Sequence, residues 1–145
     1  YQILGATIDD DVESHAGTVD GLGLLPIKTV FEKDKVTRVR RGTSLGVDVG
    51  GYEIHHGRVH GSDDEPVFFI DNVAGTTWHG TFESDAFRVA YLSQVAERRG
   101  KTFTPSGVSF AEARSAQFEG VADAIEEHVD LDVLISLIAE GAVTP

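Results

Sequence analysis

A chain of 145 residues is long enough for one domain with a buried core, and its 41% hydrophobic and 25% charged residues are typical of globular proteins. Its 24 acidic and 12 basic residues give a formal charge of −12, which argues against nucleic acid or an anionic membrane as a partner. Cysteine is absent, which excludes disulfides, thiolate metal ligands and a cysteine nucleophile within these residues. Because no signal pattern or membrane-length apolar run is present, a cytoplasmic protein is expected.

The N-terminal part of the chain is divided into short segments. Residues 1–5 are apolar and suit a helix, and nothing like a disordered terminus precedes them, so we expect a chain that starts inside an element. Asp9–Asp11 predicts an acidic loop, and Gly21–Pro26 predicts a turn-rich connector.

A basic, β-rich region follows. Lys28–Lys33 and Lys35–Arg41 predict two strands, with a hairpin turn at Lys33-Asp34. Half of the basic residues of the chain lie here, which is typical of a solvated strand pair, with a docking face for an acidic ligand as the alternative. These residues are Lys28, Lys33, Lys35, Arg38, Arg40 and Arg41.

Two further strands are predicted before the middle of the chain. Gly51–Val59 forms one, and alternation places Glu53 and His55 on the same face of it. The opposite face carries Tyr52, Ile54 and His56. The unbroken apolar run Val67–Ile70 predicts a strand buried on both faces.

Helical patterns dominate the second half. Ser84 or Asp85 is the predicted N-cap of a helix that Gly100 ends, a second apolar stripe runs from residue 110 to 129, and Asp130 caps a last short helix. With strands first and helices after them, the chain is predicted to be an α/β domain whose mixed sheet is flanked by helices.

The most informative stretch is Gly75–Arg88, which places His79 on a short glycine-bounded segment just ahead of a helix start. Such a segment can hold an imidazole over a pocket, and histidine exchanges protons near neutral pH. The alternative is that His79 only hydrogen-bonds a loop.

Other chemistries receive less support. Imidazole and carboxylate groups of the kind that bind zinc are present at His55, His56, His60, His79, Glu53 and Asp63, but their spacing matches no zinc signature. A metal-dependent hydrolase is therefore a minor alternative, and no metal site is predicted. The nearby hydroxyl residues Ser44, Thr76, Thr77 and Ser84 lie outside any nucleophile-elbow motif, and the glycine-rich stretches match no phosphate-binding loop.

Two motifs carry a family resemblance. Gly51–Arg58 and Trp78–Arg88 together resemble the glutamine amidotransferase domain of the cobyric acid synthase family, and Gly21–Pro26 and the region from Arg98 to Phe118 fit the same family. The cobyrinic acid diamide synthase family, which shares the general pattern, is the alternative. A second alternative is a degenerate module that has lost the chemistry and only docks a partner.

This resemblance implies a class I glutamine amidotransferase-like fold, with residues 1–145 forming the C-terminal part of a single domain. In that family a cysteine attacks the side-chain amide of glutamine, and a histidine, here His79, serves as base and then as acid. The cysteine would lie three residues before Tyr1, so the chain is expected to be N-terminally incomplete and inactive alone.

The family also implies further site residues. Gln2 matches a residue of the glutamine pocket, and the segment Tyr52, Glu53, Ile54 and His55 matches the one that holds the amino-acid end of glutamine, with Glu53 as the partner of its ammonium group. Many class I enzymes orient the histidine with a glutamate two residues later, where this chain has Thr81. Glu83 or Glu53 is then the possible orienting acid, unless the histidine acts without one.

The partners implied are glutamine, an N-terminal synthetase domain of the same protein, and a corrinoid substrate that reaches that domain. The synthetase would use ATP and Mg²⁺ to amidate corrinoid carboxylates, so no cofactor is expected in this chain. Strand edges and apolar faces left open by missing strands predict that the 145 residues self-associate.

Overall fold

A computed structural model of the chain describes residues 1–62 and 65–141. The chain forms two compact units, Tyr1–Pro105 and Ser106–Pro145. Of the elements in the described residues, the strands and one α-helix lie in the first unit, and two α-helices lie in the second.

The first unit is built on a four-stranded sheet with the order β2-β1-β3-β4. Strand β1 runs parallel to β3, whereas β1–β2 and β3–β4 are antiparallel, so the sheet is mixed, as predicted. The strands are β1 (Thr7–Asp10), β2 (Gly17–Asp20), β3 (Lys28–Ser44) and β4 (Val47–His60).

The predicted hairpin turn at Lys33-Asp34 is wrong. Strand β3 continues through this position, although its pairing with β4 is irregular between Phe31 and Val36. The chain reverses instead at Leu45-Gly46, where both residues take a positive φ, 53° and 76°. Two such residues match the twist of the flanking strands, which is why short hairpin turns favour them.

The N-terminal prediction is also corrected. Residues 1–5 contain one 3₁₀ turn, Gln2–Leu4, rather than a regular helix. Asp9 and Asp10 lie in β1 and not in a loop, because β1 pairs with a neighbour on each side and its backbone hydrogen bonds outweigh the low strand propensity of aspartate.

A small second sheet leads to the stretch Gly75–Arg88. It consists of β5 (Phe68–Ile70) and β6 (Val73–Gly75), which form a two-stranded antiparallel hairpin. The residues of β5 are half-buried, so the prediction of a strand covered on both faces is wrong. Among residues 1–62 and 65–141, β5 pairs with β6 alone and does not lie inside a larger sheet.

The helix of the first unit follows the prediction. A 3₁₀ turn, Thr81–Glu83, precedes α1 (Asp85–Arg98), and Gly100 ends the helical region with a φ of 62°. Ser84 is the N-cap residue, and its Oγ accepts a hydrogen bond from the Gly50 N–H at 2.9 Å. This bond joins the start of α1 to β4.

The core of the first unit includes two residues of the stretch Gly75–Arg88. Phe87 of α1 is fully buried and packs with three other buried side chains, Val49, Val67 and Trp78. Tyr91 and Phe82 add aromatic contacts to Phe87 at centroid distances of 6.1 and 5.5 Å. Because Trp78 precedes His79 directly, the histidine is attached to the best-packed part of the unit.

The second unit contains α2 (Phe110–His128) and α3 (Leu131–Glu140). Asp130 caps α3 as predicted, since its Oδ1 accepts hydrogen bonds from the N–H groups of Asp132 and Val133, both at 3.1 Å. All residues from 111 to 141 are exposed. Within the described part of the chain, no helix has both the length and the apolar character needed to cross a membrane.

Candidate active site

Threonine hydroxyls fix the segment that carries His79. The Thr76 hydroxyl donates to the carbonyl oxygen of Pro66 and accepts from the Trp78 N–H at 2.9 Å. The buried Thr81 hydroxyl donates to the Trp78 carbonyl oxygen at 2.6 Å. The backbone on both sides of Trp78 is therefore satisfied locally, and the turn has a defined shape.

The backbone of His79 is paired with β4. Its N–H donates to the Tyr52 carbonyl oxygen at 2.7 Å, and its own carbonyl oxygen accepts from the Tyr52 N–H at 3.0 Å. The two rings stack, with centroids 5.2 Å apart and planes 21° apart. Gly51 permits this approach, because a Cβ there would lie 2.7 Å from the His79 carbonyl oxygen.

His79 borders a small cavity of about 180 Å³. The histidine is exposed, and Gln2 and His55 contribute two other polar side chains to the lining. Gln2 lies close against β4, since a Cβ at Gly57 would be 2.4 Å from its side-chain nitrogen. The remaining lining residues are Tyr1, Thr76, Thr77 and Trp78.

A second cavity of about 460 Å³ adjoins the first. Tyr1, His55 and the segment 76–78 line both cavities. The larger cavity adds charged side chains, among them Arg38, Glu53 and Arg58. The polar part of the site thus extends from His79 towards the β3–β4 ladder.

Glu53 lies at the centre of this polar part, with only 4% of its surface exposed. Its Oε2 contacts Arg38 Nε at 2.6 Å and Arg40 Nη1 at 3.5 Å. Its Oε1 accepts from the Thr77 hydroxyl at 2.9 Å and lies 3.3 Å from His55 Nε2. Burial raises the pKa of Glu53, but the hydrogen bonds, that of Arg38 foremost, outweigh it and hold the pKa below its ordinary value.

His55 continues the network. Its Nδ1 lies 2.7 Å from the Gly57 carbonyl oxygen, and its Nε2 faces Glu53. Both ring nitrogens therefore lie within hydrogen-bond distance of an oxygen atom. His55 and Glu53 lie on one face of β4, as the alternation of the sequence indicates.

The structure brings several of the predicted site residues together. Gln2, His55 and His79 line one cavity, Tyr52 stacks on His79, and Glu53 lies in the adjoining cavity. Their roles toward glutamine stay predictions.

Two other predicted residues lie apart from these. Ile54 is 45% exposed on the opposite face of β4. Glu83 is exposed, with Oε1 3.4 Å from the position of a Cβ on Gly80, so its carboxylate lies beside the residue that follows His79. Its role as the orienting acid also stays a prediction.

The zinc alternative gains no geometric support. Among residues 1–62 and 65–141, no three histidine or acidic side chains are grouped to hold a metal ion. His56 instead lies 2.9 Å from the Glu32 carbonyl oxygen. Asp63, one of the candidate ligands, is outside the described residues.

Sequence reasoning missed the roles of Arg38, Arg40 and Thr77. Arg38 is directly opposite Glu53 in the β3–β4 ladder, and the Arg40 guanidinium lies 4.7 Å from the centroid of the Trp78 ring. A turn placed at Leu45-Gly46 would have paired Arg38 with Glu53 by counting outward along both strands. The missing signal was therefore the position of the turn.

A mixed sheet covered by a helix, with a histidine fixed beside a small polar cavity, is consistent with the glutamine amidotransferase-like class of proteins. The chain belongs to the CobB/CobQ-like glutamine amidotransferase domain family, which matches residues 1–87. It is 47% identical to cobyric acid synthase of Streptomyces avermitilis, across 98% of this chain and 29% of that protein. It is also 47% identical to cobyric acid synthase of Frankia casuarinae, across 97% of this chain and 29% of that protein.

The similarity extends beyond the family domain. Cobyric acid synthase of Rhodococcus jostii is 44% identical across 98% of this chain, so the relatives also match the region of α2 and α3. The chain spans about 29% of the length of the curated relatives named first. It therefore corresponds to one part of a larger protein in these organisms.

Proposed function

We propose that residues 1–145 form the C-terminal, histidine-bearing part of the glutaminase domain of a cobyric acid synthase. The 47% identity to cobyric acid synthases over almost the whole chain supports this assignment. The whole protein would supply ammonia from glutamine to a synthetase domain, which amidates corrinoid carboxylates with ATP and Mg²⁺. The cobyrinic acid diamide synthase family, which shares the family domain, is the alternative within the same chemistry.

The observation that carries the proposal is the placement of His79. Two backbone hydrogen bonds to Tyr52 fix its main chain, and its exposed imidazole borders the cavity that Gln2 and His55 also line. A general base must be within hydrogen-bond reach of the proton that it removes, and a fixed main chain keeps it there.

In the proposed reaction His79 transfers protons in both half-reactions. It takes the proton of a cysteine thiol while the sulfur attacks the amide carbon of glutamine, and it returns this proton to nitrogen as the C–N bond breaks and ammonia leaves. It then takes a proton from water, which attacks the thioester, and passes it to the departing sulfur. The thiol must come from outside these 145 residues, because they contain no cysteine.

Other residues have supporting roles in this proposal. Gln2 and His55 line the pocket for glutamine, and the backbone of Tyr52 and Ile54 belongs to the strand that borders its amino-acid end. Glu83, beside Gly80, is the candidate that orients the imidazole once glutamine is bound.

A non-catalytic docking module is the second candidate. The exposed apolar residues of α2 and α3 favour it, because large apolar side chains in that number commonly mark a contact surface. The residues immediately upstream of Tyr1 in the full-length protein discriminate the two candidates. A Cys-Gly-Gly sequence there fits the enzyme, and another residue in place of the cysteine fits the docking module.

The test is the release of glutamate from glutamine by the full-length protein that contains these residues, for wild type and His79→Ala. We expect kcat to fall by about 10²-fold or more, as is typical when a general base is lost. The 145-residue chain alone should release no glutamate.

His128→Ala is the matched control, since it removes an exposed histidine from α2 and should leave kcat unchanged. Equal activity of wild type and His79→Ala, or release of glutamate by the 145 residues in a His79-dependent manner, would contradict the proposal.

A further inference from the structure

We propose that Glu53 is a positioning residue that holds His79 in place through Thr77 and Trp78, and that it does not bind the substrate directly. This inference rests on the proposed function, since it assigns Glu53 a role in the same site. It replaces the contact with the ammonium group of glutamine that the family resemblance implies for Glu53.

The carboxylate of Glu53 is already occupied. A carboxylate offers about four lone-pair sites, and the side chains of four neighbours face the two oxygens of Glu53. These neighbours are Arg38, Arg40, Thr77 and His55. With 4% of its surface exposed, Glu53 could receive an ammonium group only if one of these contacts were broken.

The contact with Thr77 reaches toward His79. Thr77 lies two residues before the histidine, and its hydroxyl donates to Glu53 Oε1 at 2.9 Å. Tyr52, which precedes Glu53 in β4, holds the His79 main chain by two hydrogen bonds. Adjacent residues of β4 therefore fasten the segment 77–79 at both of its ends.

Arg40 adds a second connection. Its guanidinium lies between Glu53 Oε2, at 3.5 Å, and the face of Trp78, 4.7 Å from the ring centroid. Trp78 is 4% exposed and packs in the core. The charge of Glu53 is thus linked to the residue that immediately precedes His79 by an ion pair and a cation–π contact.

The two roles of Glu53 predict different kinetics. A side chain that binds the ammonium group contributes in the ground state and in the transition state, so its loss raises KM. A side chain that positions the base affects the proton transfer, so its loss lowers kcat and leaves KM nearly unchanged.

Thr77→Val in the full-length protein tests the connection, because valine has nearly the same shape as threonine and carries a methyl group in place of the hydroxyl that donates to Glu53. We expect kcat for glutamate release to fall by about 10- to 100-fold, with KM within about threefold of wild type. Thr77→Ser, which keeps a hydroxyl, should recover most of this loss. Thr18→Val on the exposed strand β2 is the control for losing a hydroxyl elsewhere.

Hydrogen–deuterium exchange of the same full-length variants gives a readout that does not depend on glutaminase activity. The His79 N–H donates a hydrogen bond to the Tyr52 carbonyl oxygen. We expect exchange in the peptide covering 77–82 to be about tenfold faster in Thr77→Val than in wild type. Exchange within α1 should stay as in wild type, and Thr77→Ser should exchange more slowly than Thr77→Val.

Glu53→Gln completes the test. The amide keeps one oxygen for the Thr77 hydroxyl and loses the charge that faces Arg38 and Arg40, so a lower kcat with a nearly unchanged KM is expected. A rise in KM of tenfold or more with an unchanged kcat would overturn the inference, and so would wild-type exchange of residues 77–82 in Thr77→Val. If the wild-type protein releases no glutamate, the proposed function fails, and the exchange measurement alone decides the positioning role.

Discussion

The two compact units of the chain use their apolar residues in opposite ways. In Tyr1–Pro105 the largest apolar side chains of the core, such as Phe87 and Trp78, are almost completely buried. In the second unit Phe118 is 67% exposed and Ile138 is 75% exposed. Both units have regular helices with N-cap residues, so the difference is not one of local structure.

This comparison shows that a sequence can form a regular helix without burying the apolar face of that helix. Helical periodicity and caps define α2 and α3, but a pair of helices of this length does not bury both apolar faces among its own residues. The first unit, by contrast, combines a helix with a sheet, and polar groups such as Thr81 and Glu53 are buried with their hydrogen bonds satisfied. The site is formed in the unit that has a core.

The largest effect is expected from removing the central aromatic of the first unit. Phe87→Ala should lower the free energy of unfolding of the 145-residue chain by about 3 to 5 kcal/mol, because it leaves a cavity between α1 and Trp78. Urea denaturation followed by tryptophan fluorescence measures this, since the only tryptophan lies in the core. A decrease in the free energy of unfolding as small as that of a surface substitution would contradict the burial of Phe87 in the core.

A smaller, pH-dependent effect is expected at Asp10. Its carboxylate accepts hydrogen bonds from the N–H groups of Val12, Glu13 and Ser14 and from the Ser14 hydroxyl. These bonds, the one from the Glu13 N–H foremost, hold the pKa of Asp10 far below its ordinary value of 3.8. A group with a lowered folded-state pKa stabilises the protein above its unfolded pKa, and this stabilisation is lost as the pH falls through the folded pKa.

Asp10→Ala should therefore lower the free energy of unfolding at neutral pH, and its difference from wild type should narrow as the pH falls below about 4. Asp11→Ala, which removes an exposed carboxylate from the adjacent loop, is the matched control and should have a smaller effect. Denaturation at a series of pH values measures both variants. A difference that stays constant down to low pH would show that the hydrogen bonds of Asp10 do not depend on its charge.

The smallest effect is expected in the second unit. Phe118→Ala should change the free energy of unfolding of the 145-residue chain by no more than about 0.5 kcal/mol, because the ring is mostly exposed. The same denaturation experiment as for Phe87→Ala makes the comparison direct. A loss of several kcal/mol would show that this face is covered in solution, and the contrast between the two units would then fail.

The elements that local sequence determines were predicted well. The residues Ser84, Gly100 and Asp130 lie at the ends of α1 and α3 as predicted, although only Asp130 makes a side-chain cap hydrogen bond. The alternation of Gly51–Val59 predicted most of β4. The turn was missed because a positive φ at Leu45 has no signature in residue type. Strand β1 was missed because its parallel partner, β3, is distant in sequence and aspartate is rare in strands.

In the site, too, residues within local motifs were predicted, and contacts between distant residues were not. Motifs pointed to His79 and to the segment Tyr52–His55. In the structure Tyr52 stacks on His79, and His55 lines the same cavity as His79, whereas Ile54 is exposed on the opposite face of β4. The contacts of Arg38 and Arg40 with Glu53 depend on the strand register, and a register error moves every partner along the ladder. Thr77 was considered only as a possible nucleophile, because its bond to Glu53 spans 24 residues of chain.

The position of residue 79 is set by its backbone pairing with Tyr52 and does not depend on which side chain residue 79 carries. Since both hydrogen bonds use main-chain atoms, another side chain at this position keeps the same anchorage to β4. A fluorinated or isotopically labelled residue placed there would therefore report on the cavity from a known point. Because these two hydrogen bonds do not involve the side chain, residue 79 can change in type during evolution while the main chain of the loop keeps its position.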